Sequence, residues 1–437
     1  MNATPSYSGD AASVRRVLTV VHANAGGGLG GMETFCVDLS RELAGRGIEV
    51  TAVIPEDGWA DPLVARFEDG DVRVVRLDTD PFKGRLNVVR GRIAQVQRWA
   101  RLWHELRAWR PDVVHLHVPC APAGLGTLAL ARAAGVATVI SEHNVPWPDP
   151  TPRERLAARA IDRAAQAIVA VSRYNGALRS ARIGARPSRH ASISNGIPIR
   201  EVSPVVRATN RARIRAQFEI ETDEVAVGCL VRFVEGKGLD DLVRAFAIVR
   251  RERRCRLLLV GDGPLRGELE ALVRAQGITD SVIFAGQQQE PMPYLDAMDV
   301  FALAVPAGSM SIALLEAMAR GLPPVITFCG PEEAVIPEDT GLGAPPNDPA
   351  GLADALRRYV ADDTLRHRLA GSAAAHVRRH FSIARVADDM LEIYAAAPSG
   401  AVPPHLRADG PPNPRPGGRC KSAEQAHPVE RLRAPSG

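Results

Sequence analysis

Long uncharged apolar runs are missing from the 437 residues. Each hydrophobic stretch is broken by Arg, Asp or Gly well short of the roughly 18 residues that a membrane-spanning helix needs, which excludes a helical transmembrane protein. Paired cysteines are missing too. Cys36, Cys120, Cys229, Cys255, Cys329 and Cys420 stand singly, without zinc-module spacing or the density of a disulfide scaffold, and are expected to be reduced and structural. Met1 to Arg16 lacks the basic start, apolar core and small-residue cleavage site of a secretory leader, so a cytoplasmic location is expected. Charge of one sign is scarce: the net charge is +4, and from Ala397 onward six basic residues face three acidic ones, leaving the body nearly neutral. That balance argues against nucleic acid as the main partner. Lysine is almost absent. Of 54 Lys+Arg only Lys83, Lys237 and Lys421 are lysine, so arginine serves wherever a generic positive charge suffices and a lysine inside a glycine-flanked loop asks for a reason.

What is present is 46% hydrophobic and 24% charged residue content over a length that suits two cores. Apolar strands alternate with amphipathic, helix-length stretches, the pattern of parallel sheets covered by helices. After a flexible start at 1–15, residues 16–200 read as one doubly wound α/β domain, with strands at Arg16 to Val21, Glu49 to Ile54, Val113 to His117, Thr138 to Ser141 and Ala167 to Val171. A polar connection from Pro198 to Thr222 leads into a second such domain, taken as 201–382, followed by a closing helix at 383–396. Two Rossmann-like domains of this kind, facing one another, would place ligands in a cleft at the carboxyl ends of both sheets. Residues 397–437 are Pro- and Gly-rich with few large apolar side chains and are expected to be disordered, since they bury too little to offset ordering.

Four local patterns carry chemistry. Gly26-Gly27-Gly28-Leu29-Gly30-Gly31 contains a literal G-x-G-x-x-G and opens a helix, where amides can meet phosphate. As a dinucleotide fingerprint it is weak, because His22 to Ala25 separate it from the strand, and a ligand-free glycine turn stays open. Arg232 stands just beyond a strand with Lys237 five residues on, in Glu235-Gly236-Lys237-Gly238. A forked guanidinium and a point-charge ammonium at one turn suit a diphosphate, the alternative being an exposed pair. Gly261-Asp262-Gly263-Pro264 follows another strand, either as a close approach for a nucleotide or as a tight turn. Glu316 is the single acid of an apolar helix, Ile312 to Ala319, and requires a partner: a ligand hydroxyl or a backbone donor.

Taken in order, these patterns resemble family 4 of the retaining, nucleotide-sugar-dependent glycosyltransferases, with the two-Rossmann GT-B architecture. The resemblance runs from about Arg16 to Ala396 and rests on Gly30-Gly31-Met32-Glu33, Asp112-Val113-Val114-His115-Leu116-His117, Ser141-Glu142-His143-Asn144 and Ala170-Val171-Ser172. It rests further on Ser194-Asn195-Gly196-Ile197, on Arg232 with Lys237, on Gly261 to Pro264 and on Leu315-Glu316-Ala317-Met318-Ala319. The resemblance implies that Arg232 and Lys237 hold the donor diphosphate and Glu316 the ribose hydroxyls. It also implies that the Gly30-Gly31 loop approaches donor and acceptor, and that His143 lies beside the transferred sugar. His143 as a histidine satisfied at a strand end is the alternative. The amides around Ser311 and Ile312 would assist the leaving diphosphate. The family commonly carries a glutamate eight residues before the ribose-binding one, where this chain has Gly308.

The expected activity is therefore sugar transfer, with retention, from a UDP- or GDP-linked donor to a hydroxyl of a glycan or lipid-linked acceptor. No cofactor or metal is expected, since no D-x-D-like motif stands at a strand end. The rivals are a catalytically impaired GT-B binding protein, motivated by Gly308, a nucleotide-sugar epimerase, and a dinucleotide oxidoreductase suggested by the glycine fingerprint. The helix Leu86 to Trp109 is expected to turn Val89, Ile93, Val96, Trp99, Ala100, Trp103 and Leu106 toward the sheet and Arg90, Arg98, Arg101 and Glu105 outward. Its basic face, with Lys83 and Arg85, is either merely solvated or a peripheral contact with anionic membrane.

Overall fold

The computed structural model describes residues 14–22, 30–78, 88–120, 123–144, 150–183, 187–306, 310–328 and 333–408. The chain divides into two compact units, one comprising Met1–Arg200, Ser309–Glu316 and His376–Pro412, the other Glu201–Gly308, Ala317–Ala375 and Asn413–Gly437.

The first unit is built on a seven-stranded sheet in the order β3-β2-β1-β4-β5-β6-β7. Its strands are β1 (Arg16–Val21), β2 (Glu49–Ile54), β3 (Arg73–Arg76), β4 (Val113–Val118), β5 (Ala137–Glu142), β6 (Ala167–Ala170) and β7 (His190–Ser192), and all neighbouring pairs are parallel. Strands buried on both faces need near-continuous apolar runs, and β1, RVLTVV, has one. The covering helices are α1 (Gly31–Gly45), α2 (Asp61–Glu68), α3 (Val88–Trp109), α4 (Leu125–Ala133), α5 (Pro152–Ala164) and α6 (Arg173–Ile183). Met32, Phe35, Cys36, Leu39 and Leu43 of α1 recur at helical spacing and are buried. At the start of α5 the Thr151 hydroxyl accepts from the Glu154 amide while the Glu154 carboxylate accepts from the Thr151 amide, a reciprocal cap.

The second unit has six parallel strands ordered β10-β9-β8-β11-β12-β13. These are β8 (Val225–Leu230), β9 (Cys255–Val260), β10 (Val282–Gly286), β11 (Val300–Leu303), β12 (Pro324–Thr327) and β13 (Leu342–Ala344). Its helices are α7 (Pro204–Gln217), α8 (Leu239–Glu252), α9 (Arg266–Ala275), α10 (Met292–Ala297), α11 (Ile312–Ala319), which begins in the first unit, α12 (Pro349–Ala361) and α13 (Asp363–His380). Phe233, Phe246, Leu257, Leu259 and Tyr359 centre its core. The last helix, α14 (Ile383–Ala396), returns to the first unit, where Ile197 and residues 381–383 exchange backbone hydrogen bonds. In both sheets the strand order reverses beside the first strand, between β1 and β4 and between β8 and β11, and ligands of open α/β sheets collect at the carboxyl ends there.

Three expectations need correction. The polar connection 198–222 contains a 14-residue helix, α7. Its apolar signal is weak because it packs through charge: Arg211 and Arg215 reach Asp299 at 2.6 and 3.2 Å, and Arg207 lies 3.5 Å from Asp296. Helix α3 is rotated from its expected setting. Leu102 and Leu106 are buried, while Val96, Trp99 and Trp103 remain 63%, 38% and 37% exposed. Ion pairs accompany that rotation: Arg101 meets Glu56 at 2.7 Å and Glu105 meets Arg73 at 2.9 Å, so this polar edge faces β3. The side chains of Val89, Arg90 and Ile93, and all of Lys83 and Arg85, lie outside the described residues. Finally, order extends past Ala397. Val402 and Leu406 are buried, Arg407 bridges Ala191 in antiparallel fashion, and the Ala408 amide donates to the His190 carbonyl, so this segment covers the β7 edge. The remaining stretch, 409–437, lies outside the described residues.

Candidate functional site

In the first unit the carboxyl ends of β4 and β5 carry a buried polar cluster. Alternation along a strand puts His115 and His117 on one face, and the register sets His117 opposite Ser141 and Val118 opposite Glu142, the residue before His143. His117 Nδ1 lies 3.0 Å from His143 Nε2, and the His115 ring sits 3.9 Å from that of His117. His115 is held at both nitrogens, by the Tyr394 hydroxyl of α14 and the Ser141 hydroxyl, each at 2.7 Å. Phe35 of α1 meets both His117 and His143 edge-on, and Cys36 beside it is fully buried. Burial pushes His115 and His143 down to about 3 and also drives His117 well below the usual range, so all three rings are neutral.

Behind this cluster the Arg179 guanidinium of α6, itself buried, binds Glu142 at 2.8 Å and Asp162 of α5 at 2.7 Å, with His190 Nε2 at 3.1 Å. Burial pushes the Asp162 carboxyl up, but the hydrogen bonds and charges of His190 and Arg179 outweigh it and leave Asp162 below its ordinary value. The backbone preceding His143 is therefore anchored by an ion network at its back.

The same unit holds the other expected residues of this half. The Gly30 amide donates to the Glu33 carboxylate at 2.9 Å, closing the first turn of α1, and a side chain at Gly31 would touch Ile312 at 3.5 Å. Asn195 Nδ2 donates to the Met310 carbonyl at 2.9 Å, and the Ser311 hydroxyl accepts from the Leu314 amide at the head of α11. Glu316 follows on the same helix, half-buried. Gly26 to Leu29 and Gly308 lie outside the described residues.

The second unit brings Arg232 and Lys237 together at the carboxyl end of β8. Burial lowers the Lys237 ammonium, and the Arg232 charge lowers it further. Two cations held within reach of one another and partly desolvated make this turn a candidate anion site. Glycine builds the turn: Gly238 has φ +62°, and a side chain there would meet the Ala304 carbonyl oxygen at 1.8 Å. Gly261 has φ +137°, and a side chain would meet the Val231 oxygen at 1.9 Å. The Gly261 to Pro264 loop is thus packed against the β8 loop, joined to it by the Phe233 amide and the Asp262 carbonyl.

Sequence reasoning missed the pairing of Cys36 with His117 and His143, and the Arg179 network. The first had a signal, the i, i+2 spacing of His115 and His117. The second joins residues from β5, α5, α6 and β7 that no local spacing connects.

Two doubly wound sheets, one with a basic, glycine-lined strand end, define a two-Rossmann α/β protein. The Glycosyltransferase Family 4 model matches residues 29–201, and the model of Glycosyl transferases group 1 matches 224–362. Among curated proteins, a D-inositol 3-phosphate glycosyltransferase of Xylanimonas cellulosilytica is 30% identical over 395 residues, covering 85% of this chain and 93% of the relative. The lipopolysaccharide core biosynthesis glycosyltransferase LpsE of Rhizobium meliloti is 27% identical over 394 residues, covering 84% and 97%. Among solved structures, Anabaena HepE in complex with UDP-glucose superposes with a TM-score of 0.73 at 20% identity, covering 87% and 99%. The chain belongs to glycosyltransferase family 4, has the GT-B fold, and is a glycosyltransferase. The binding-protein, epimerase and oxidoreductase readings are not favoured. Among the described residues no helix is long and apolar enough to cross a membrane.

Proposed function

We propose that the chain transfers a hexosyl group, with retention, from a UDP- or GDP-sugar to a hydroxyl of a glycan or lipid-linked acceptor, without a metal or other cofactor. The observation that carries this is the Arg232–Lys237 pair, two partly desolvated cations at the end of β8. Breaking the sugar–phosphate bond sends negative charge to the diphosphate and leaves an oxocarbenium-like sugar, so preorganised cations stabilise the transition state more than the ground state. In this reading Arg232, Lys237 and the amides at Ser311 and Ile312 take the diphosphate. Glu316 accepts from the ribose hydroxyls, the Gly30-Gly31 turn lets donor and acceptor approach the backbone, and His143 lines the sugar position. Relatives named as a D-inositol 3-phosphate glycosyltransferase and a lipopolysaccharide core biosynthesis glycosyltransferase support a hydroxyl acceptor of polyol or glycan type.

Calorimetric titration of UDP and GDP tests it. Lys237→Ala and Arg232→Ala each remove a charge-assisted contact worth about 1.5–3 kcal/mol, roughly 10- to 150-fold in affinity. Unchanged affinity in both variants would remove the diphosphate assignment.

Peripheral contact with anionic membrane belongs to the same reading. Exposed Val96, Trp99 and Trp103 on α3, with Leu125 on α4, form an apolar patch beside exposed Arg107, which lies over the Trp103 ring at 5.7 Å. Indole and guanidinium together suit the headgroup region. Sedimentation with anionic and neutral vesicles, for the wild type and Trp99→Ala/Trp103→Ala, checks it; equal recovery in the supernatant for all four leaves the patch as ordinary surface.

A further inference from the structure

Asn195 is buried, and its side-chain Nδ2 donates to the Met310 carbonyl at 2.9 Å. A carbonyl can only accept, so the NH₂ end of the amide must face it. That amide stands on a fixed base. The backbone N–H of Asn195 donates to the Val171 carbonyl, and Ile197 exchanges backbone bonds with Phe381 and Ile383 at 2.9 and 2.8 Å. Gly196 allows the close fit, since a side chain there would meet Val386 at 2.7 Å and the Ser382 oxygen at 2.9 Å. Asn195 Oδ1 lies at the same turn, buried and without a hydrogen-bond partner among the described residues. Packing alone does not explain such a residue, because an apolar side chain of the same size would fill the place without stranding an acceptor.

Met310 precedes Ser311, whose hydroxyl caps α11 by accepting from the Leu314 amide. The Ser311 and Ile312 amides at the head of the helix are left without an acceptor among the described residues. The Met310 carbonyl and the Ser311 N–H belong to one planar trans peptide unit, in which they point in opposite directions. Whatever holds the carbonyl therefore aims the N–H. A hydrogen bond accepted by the carbonyl also polarises the unit and makes its N–H a stronger donor. We propose that Asn195 is a positioning residue for the leaving diphosphate: by holding the Met310 carbonyl it turns the Ser311 N–H toward the phosphate that carries the departing oxygen. The proposal rests on the reading above, in which the amides at Ser311 and Ile312 take the diphosphate. Asn195 itself touches no substrate. Its effect is to aim a donor before the reaction, so that no reorganisation is needed as charge arrives on the leaving group.

The test uses the full-length chain and calorimetric titration of UDP and UMP, with GDP and GMP in their place if the wild type binds guanine instead. Asn195→Leu, nearly isosteric and unable to donate, is expected to lose about 10-fold in UDP affinity. That is the low end for a hydrogen bond to a charged group, because the Ser311 N–H is misaimed and not removed. UMP lacks the β-phosphate, so its affinity is expected to stay within about twofold of wild type. A merely structural role would weaken both nucleotides alike. Asn195→Ala is read in the same way, with the folding of both variants checked by circular dichroism. Asn175→Leu, at another buried asparagine of this unit with neither side-chain amide atom bonded among the described residues, leaves the ratio of the two affinities unchanged. Lys237→Ala and Arg232→Ala separate the proposal from the reading beneath it. Unchanged UDP affinity in both removes the diphosphate reading and this proposal with it, whereas a loss there and none in either Asn195 variant overturns the positioning role alone. Equal weakening of UDP and UMP, or the same shift of their ratio in Asn175→Leu, would also overturn it.

Discussion

Replacing Arg179 by Ala tests whether the ion network behind His143 holds the first unit together. The guanidinium is 1% exposed and neutralises two carboxylates, those of Glu142 and Asp162, that are each 5% exposed. Glu142 Oε1 already lacks a partner among the described residues, so loss of the arginine leaves Glu142 buried without its guanidinium and Asp162 with His190 alone. Breaking a buried pair from one side costs about 3–5 kcal/mol, which for a unit of this size lowers Tm by roughly 10 °C. The cost depends on pH in a definite direction. In the wild type Asp162 is held below its ordinary value, so its contribution is complete above the unfolded pKa and fades only as pH falls through the lower folded one. In the variant only His190 still opposes burial, so Asp162 rises from its wild-type value, acid lets the carboxyl neutralise more readily and the gap between the proteins narrows. Urea unfolding at pH 7.5 and pH 5, followed by far-ultraviolet circular dichroism, measures both. The triple variant Arg179→Met/Glu142→Gln/Asp162→Asn is expected to regain most of the loss, since no charge stays buried. A loss under about 1 kcal/mol, or one independent of pH, would refute the argument.

Ending the chain after Ala408 removes none of the described contacts and should leave Tm unchanged, whereas ending it after Ala397 exposes the sites of Val402 and Leu406 and should lower Tm by several degrees in thermal melts. Gly238→Ala places a side chain on the Ala304 carbonyl at positive φ, and is expected to cost at least about 1–3 kcal/mol in urea unfolding and to weaken UDP binding by calorimetry. Asp389 is raised to about 6, first by burial and then by Glu392 and Asp388 against the opposing Arg385 and His405. Native Asp389 therefore holds its proton where the unfolded chain has lost it, and stability falls as pH rises from about 4 to 6. Asp389→Asn should accordingly gain about 1 kcal/mol at pH 7.5, after discount for partial exposure, and nothing at pH 4, which paired melts decide.

The parts of the fold legible in the sequence are those in which hydrophobicity does the packing. Strands such as RVLTVV and CRLLLV are buried on both faces and read as continuous apolar runs, and the turns between them carry glycine where only positive φ fits. Helix α7 escaped because its inward side carries one apolar residue, Ile214, among arginines that meet Asp296 and Asp299; a periodicity of apolar residues cannot register a face that packs largely by charge. Helix α3 misled for a related reason. Its heavier apolar stripe, with two tryptophans, is the one left partly outside, while the inward stripe is Leu102 and Leu106 and the polar edge pairs with β3 and the loop after β2. Composition likewise misjudged 397–408, where one buried valine, one buried leucine and backbone pairing to a sheet edge suffice to order a proline-containing segment.

The candidate site divides along the same physical line. Its phosphate-facing part is local: Arg232, Lys237 and the glycines that carry them lie within seven residues, so a diphosphate can be inferred from spacing and from the scarcity of lysine alone. The part around His143 is assembled by register. His117 reaches His143 only because β4 and β5 are parallel and paired with Ser141 opposite His117, Cys36 arrives on a helix, and Tyr394 comes from the last helix, α14, to fix His115. A family resemblance identifies His143, because the motif Ser141 to Asn144 is contiguous; it is silent about the rings, thiol and guanidinium that hold it. Those neighbours decide what His143 can do. An imidazole pushed down to about 3 and locked to a second imidazole cannot serve as a cation toward the leaving diphosphate near neutral pH. Under the proposed function the positive charge of the reaction therefore falls to Arg232 and Lys237, with His143 a neutral, fixed wall beside the sugar.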